Sequence, residues 1–297
     1  MQYWILKTIS RILCLLPYCL LLSLGKGLGR LYYLLAKSQR KLALTQIQER
    51  MNLSPEEAEK TIRQLFINLA QTFLEIMYMP RLNKTTINNY VDIENRHYLD
   101  AAMAEGKGIA ILAAHFGNWE WLGAGLALNG YPLAAVFKGQ PNDQHTRLLT
   151  EYRQHVGMEV YAKGGNEVLG LVKAFKRGQA VGLISDQNAG KTGITLDFFG
   201  KPSSTHSGIS VFAAKLGCPV VPIFIVRRPE GGHRILVQPP HHFEHTGHQA
   251  EDITAFTAKM SKIIEDIIRQ YPDHWIWFHK RWRDPHHGRA ASGGDMQ

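Results

Sequence analysis

Apolar residues fall along this chain in two rhythms. Up to about residue 80 they follow helical spacing. Residues 12–24 (ILCLLPYCLLLSL) carry no charge, Lys26 and Arg30 interrupt, and LYYLLA resumes at 31–36. Residues 38–51 read as a basic helix. Ser54-Pro55-Glu56-Glu57 then supplies an N-cap, a proline at the first helical position and a capping-box glutamate. The stripe Ala58, Ile62, Leu65, Phe66, Leu69, Phe73, Ile76, Met77 carries that helix to about Pro80. From residue 90 the apolar runs become short and rich in small or β-branched residues, at 109–114, 133–137, 158–162, 180–185 and 220–226. Helical stretches lie near 95–105, 118–129, 143–155, 167–177 and 207–216, and a strand at 234–238 and a helix at 251–270 follow. Strands alternating with helices predict an α/β fold, a central, mostly parallel sheet with buried strands flanked by helices.

The pattern divides the chain into a hydrophobic membrane anchor (1–36), an α/β domain (37–283) and a flexible tail (284–297). Thirteen helical residues rise only about 20 Å, short of a hydrocarbon core of about 30 Å. A span therefore needs the stretch beyond Lys26, whereas a helix lying in the interface does not. A cleaved signal peptide and a buried helix of a soluble core are the competing readings, and a retained anchor is the expectation. The basic flank after it (Lys26, Arg30, Lys37, Arg40, Lys41) puts the body of a spanning protein in the cytoplasm, at the cytoplasmic membrane. Gly25, Gly27 and Gly29 have no strand before them and are not a dinucleotide fingerprint.

The 297 residues are 45% hydrophobic, enough for a sizeable core, and the net charge of +9 calls for an anionic partner. No zinc-finger, RNP or basic-zipper pattern accompanies that charge, so an anionic membrane surface is expected and nucleic acid is not. Cys14, Cys19 and Cys218 have no framework spacing and suit a reducing compartment. His241, His242, His245 and His248, with Glu244, follow two prolines and read as a surface loop, so no metal is expected.

The chemistry concentrates in IAILAAHFGNWEWLGAGLA. An apolar strand ends at His115 and a helix begins within a few residues, at the sheet edge where ligands gather. On one continuous helix His115 and Glu120 would point about 140° apart. With the chain reversing between them they can meet, and a carboxylate on one ring nitrogen makes the other a general base. A structural histidine and a glutamate favouring a helix N-terminus remain open on spacing alone.

HFGNWE resembles the H-x4-E signature of the lysophospholipid acyltransferase superfamily, in the branch of the late lauroyl/myristoyl acyltransferases of lipid A. Further elements resemble the same branch: Arg153 with Gly157; Ser185-Asp186-Gln187; Phe198-Phe199-Gly200-Lys201-Pro202; Gly217 to Pro222; and WIWFHKRWR from Trp275 to Arg283. Gln46-Ile47 and Asn188 depart from it, where the branch carries Asn-Leu and Asp. The resemblance implies an O-acyltransferase with His115 as base and Glu120 as its partner. Asn118, Arg153, Asp186 and Gln187 are implied substrate-binding residues: Arg153 a candidate oxyanion donor, Asp186 a holder of Arg153 or of substrate, Asn118 and Gln187 headgroup contacts. Phe198 and Phe199 read as packing residues, and the tryptophans of 275–283 fit a membrane interface or core closure equally. It further implies no cofactor, an acyl carrier protein or coenzyme A thioester as donor, and a lipid A precursor as acceptor. A mannosylated inositol lipid acceptor, a hydrolase of the same fold and a catalytically silent membrane-binding relative are the rivals.

Overall fold

A computed structural model describes residues 2–137, 144–162 and 167–283; the tail at 284–297 lies outside the described residues. Four helices come first, α1 (Gln2–Leu13), α2 (Tyr18–Leu35), α3 (Lys37–Met51) and α4 (Pro55–Tyr78). Pro17 breaks α1 from α2, and α4 opens on the expected capping box, Ser54 accepting from the Glu57 backbone N–H. No single described helix is long and apolar enough to cross a membrane; α2 and α3 together pass by length and composition but are bent by 88°.

The glycine run explains how α2 is held. A β-carbon at Gly25 would lie 2.7 Å from Gln71 Cγ, and one at Gly29 2.4 Å from Ile67 Cα, so these two residues, one turn apart, let α2 press its backbone onto α4. Gly27 faces open space. Helices α1 and α2 bare Trp4, Ile9, Ile12, Leu15, Leu24, Leu31 and Leu35 on their free faces. Gly29→Ala should therefore lower the melting temperature by overpacking the contact, a loss of about 1–3 kcal/mol. Gly27→Ala should raise it slightly, by about 0.5–1 kcal/mol, through helix propensity. Thermal unfolding of the two variants compares these opposite signs.

Among the described residues nine strands follow, β1 (Val91–Glu94), β2 (Ile109–Ala113), β3 (Leu133–Phe137), β4 (Glu159–Ala162), β5 (Ala180–Ile184), β6 (Ile194–Phe198), β7 (Lys201–Thr205), β8 (Val220–Arg227) and β9 (His233–Val237). Between and after them run α5 (Arg96–Ala104), α6 (Trp119–Leu128), α7 (Gln144–His155), α8 (Glu167–Lys176), α9 (Gly208–Leu216) and α10 (Gln249–Gln270). Seven strands form one sheet in the order β1-β9-β8-β2-β5-β3-β4, and β6 and β7 pair separately as a hairpin. Strands β8, β2, β5, β3 and β4 are parallel; β9 runs antiparallel to β8, with β1 parallel to β9. All five residues of β2 are buried. Ile109, Ile111 and Ala113 meet residues of α5, α6 and α7 on one face, while Ala110, Leu112 and Ala114 meet α8, α9 and α10 on the other. Each isoleucine or leucine so enclosed contributes about 1.5–3 kcal/mol relative to exposure. The first half of α4 packs into the second core and its last turns into the first.

Candidate active site

Strands β2 and β5 are neighbours in parallel register, with Ala113 opposite Ile184. His115 and Asp186, each two residues beyond its strand, therefore leave the sheet side by side. Asp186 Oδ1 accepts from the His115 backbone N–H at 3.1 Å and lies 2.9 Å from His115 Nδ1. Its Oδ2 accepts from Trp275 Nε1 at 2.9 Å. The carboxyl is almost wholly buried while the imidazole keeps 25% of its side-chain surface. Burial pulls the His115 pKa down, but the charge and hydrogen bond of Asp186, aided by the charge of Glu120, outweigh it and leave the ring above the ordinary histidine value. Burial pushes the Asp186 carboxyl up, and the His115 ring with the Trp275 N–H more than reverses this, so it sits below the usual aspartate value.

The expected His115–Glu120 hydrogen bond is corrected here: the ring is held by Asp186. Glu120, near the start of α6, takes a bidentate pair from Arg153 on α7, Nε at 2.8 Å and Nη2 at 2.6 Å, and accepts from Trp119 Nε1 at 3.1 Å. Arg153 is thus partnered by Glu120 and not by Asp186. The Trp119 ring stands edge-on to His115 at 5.2 Å. Glu120 therefore acts on the ring through charge, and it fixes the guanidinium of Arg153 beside the site.

Asn118 is also corrected. It is completely buried and both ends of its amide are engaged: Oδ1 caps α6 by accepting from the Trp121 N–H at 3.0 Å, and Nδ2 donates to Glu75 at 2.9 Å. A group so enclosed offers no surface to a headgroup. Gln187 lies half-buried next to Asp186.

The turn between His115 and α6 depends on Gly117, which has φ +57° and donates its N–H to His274 O at 2.8 Å. Phe116 bridges to Trp275. The 275–283 segment is core closure and not a membrane belt: Trp275 and Trp277 are fully buried, against each other and against Phe198 and Phe199. The two departures from the branch pattern clasp this segment. Gln46 donates to Trp277 O and, at 3.1 Å, to His279 O; Asn188 donates to Arg281 O at 2.9 Å and Arg283 O at 3.0 Å. Arg281, buried against Ser204, Thr205 and the Phe198 ring, has a pKa lowered by that burial to about 10.

Beneath the turn lies a polar knot that periodicity alone does not reveal. Glu75 of α4 is fully buried and accepts two hydrogen bonds from Arg227 (2.6 and 2.8 Å), one from Tyr18 OH (2.6 Å) and one from Asn118, with His233 Nε2 at 3.0 Å. Burial raises the Glu75 carboxyl, but Arg227 and His233 outweigh it and the net shift is downward. An acid on the inner side of an apolar helix was the available signal. Among the described residues no group of three or more His, Cys, Asp or Glu is placed to hold a metal ion; His242, in the histidine-rich stretch, pairs with Glu105 at 3.0 Å.

Residues 1–284 match the family model for bacterial lipid A biosynthesis acyltransferases. The chain is 27% identical over 278 residues to the lipid A biosynthesis palmitoleoyltransferase of Escherichia coli K12, covering 90% of this chain and 86% of that one. It is 23% identical over 272 residues to the lipid A biosynthesis lauroyltransferase of the same organism, covering 90% and 87%. It is likewise 23% identical over 225 residues to the phosphatidylinositol mannoside acyltransferase of Mycolicibacterium smegmatis, covering 74% and 72%.

Proposed function

The chain belongs to the bacterial lipid A biosynthesis acyltransferase family and is an acyltransferase, and on that footing we propose that it moves a fatty acyl chain from a carrier thioester to a hydroxyl of a lipid A precursor. The observation that carries the mechanism is the 2.9 Å contact of His115 Nδ1 with Asp186, which leaves Nε2 as the ring atom for substrate. In this reading Nε2 takes the proton of the acceptor hydroxyl as its oxygen attacks the thioester carbonyl. A tetrahedral oxyanion forms; the carbon–sulfur bond then breaks, and the imidazolium returns the proton to the thiolate. Charge from Asp186 stabilises the imidazolium while it lasts. Arg153, held by Glu120, is the proposed oxyanion donor, since the N–H groups of Phe116 and Gly117 are given to Ala114 O and His274 O. Gln187 is kept as a candidate contact for substrate.

The N-terminal helices supply the reason to work at a membrane. One face of α2 is pressed onto α4 and the other is leucine-rich, so α1 and α2 are proposed to lie in the interface and not to span it. Residues 1–51 carry eight Lys and Arg against the single acid Glu49, which holds most of the net charge of +9 on this part of the chain. That suits an anionic, cytoplasm-facing bilayer surface. An acidic acyl carrier protein as donor fits the same overall charge.

The mannosylated inositol lipid is the second reading, favoured by the mycobacterial relative; the lipid A relatives cover nine tenths of this chain against its 74%. Purified protein incubated with labelled acyl carrier protein thioester and a panel of both lipid classes decides between them. Label is expected in the lipid A precursor. Label in the mannoside alone transfers the assignment to the second reading, and free fatty acid alone would sink both.

A further inference from the structure

The Glu75 knot lies outside the proton-transfer chemistry, yet it grips the catalytic turn at two points. Glu75 Oε2 accepts from Asn118, the N-cap of α6, and the Glu75 backbone carbonyl accepts from Trp121 Nε1 at 2.8 Å. Glu120 sits between those two residues. A third hold comes through Arg227: its carboxylate pair fixes the guanidinium, its backbone N–H donates to His274 Nε2 at 3.0 Å, and His274 O accepts from Gly117. Gly117, Asn118 and Trp121 are thus all tied to Glu75, directly or through Arg227 and His274.

The cost of such a centre bears on its purpose. A buried charged cluster is weak evidence for stability, since apolar residues of similar volume often serve as well or better. Here Arg227 Nε and His233 Nδ1 are buried without a partner, a further penalty. What the cluster supplies and an apolar core does not is direction: fixed donors and acceptors aimed at the first turn of α6. Tyr18, the first residue of α2, adds a link from the N-terminal helices, since its hydroxyl donates to the same carboxylate.

Resting on the acyl-transfer reading above, we infer that Glu75 is a positioning residue for that reaction. It acts through Asn118 and sets the place of the Glu120–Arg153 pair relative to His115. Because Glu75 touches no surface of the site, its loss should act on turnover more than on substrate binding.

Asn118→Ser tests this with the knot intact: serine still caps the helix by accepting from the Trp121 N–H, but it donates no bond to Glu75. Its kcat is expected to fall about tenfold to a hundredfold, as for small misplacements of catalytic groups, with KM for the acyl carrier protein thioester nearly unchanged and a melting temperature near wild type. Combined with Arg153→Lys, the loss should be less than the product of the two single losses, because both disturb one arrangement. Glu75→Gln should behave in the same way where it folds, and where it does not, Asn118→Ser decides alone. Wild-type kcat in Asn118→Ser, or losses that multiply fully with Arg153→Lys, overturns the inference. A His115→Ala control as active as wild type would instead overturn the reading of the site itself.

Discussion

Replacing His115 by alanine is expected to lower kcat by about 10²–10⁴, the contribution of a positioned general base, while leaving the fold intact because the ring is only half-buried. Asp186→Asn should be nearly as damaging on the plateau and should also move the pH profile. As the proposed base His115 works in its neutral form, and its pKa lies above the ordinary histidine value, so activity is expected to rise with pH through a limb above the usual imidazole range. Without the Asp186 charge, burial dominates and the limb moves to lower pH. Glu120→Gln should shift it in the same direction but less, since Glu120 contributes charge and no hydrogen bond to the ring. The pH dependence of kcat/KM for the three proteins measures this. A larger shift in Glu120→Gln than in Asp186→Asn would hand the role of partner back to Glu120.

Gly117→Ala carries the second large effect. The residue has φ +57°, and a β-carbon there would lie 2.0 Å from the carbonyl oxygen of Ile225 on β8. Neither the turn nor the strand can yield without displacing His115 or Arg227. Backbone strain and collision together should lower stability by roughly 2–5 kcal/mol. Activity should fall more than tenfold even at temperatures where the variant is folded, because the turn that orders His115 against Asp186 is the part displaced. Thermal unfolding and single-turnover transfer report the two effects separately. A stable variant with full activity would show that the turn tolerates another path.

Much of the architecture was legible because its signals are local. The capping box at Ser54, the run at 133–137 and the helix at 143–155 appear within a residue of their expected bounds. Strand β1 and the β6–β7 hairpin escaped, since VDIE and ITLDF alternate exposed and buried positions over too short a length to stand out. The site was half legible. His115 was placed at a sheet edge and Asp186 follows the apolar run at 180–185, but their pairing is a property of β2 lying next to β5, and the order of strands in a sheet is not written in any one stretch of chain. Glu120 is five residues from His115 and so drew the eye; Asp186 is 71 residues away and is the group in contact. Asn118 looked like a headgroup ligand because its burial depends on Glu75, on a helix that precedes the sheet. The glycines at 25 and 29 were set aside as a failed nucleotide motif, and their use as a seat for α4 becomes visible only once two helices are laid together.

The clasp on residues 275–283 has a consequence for how the protein comes into being. A ribosome extrudes the leucine-rich helices α1 and α2 well before Trp275, the indole that donates to Asp186. The nascent chain can therefore reach a lipid surface while its acid–base pair is still open to water and untethered. On the proposed reading, the site is completed by the last part of the chain to be made, after the segment proposed to dock on lipid.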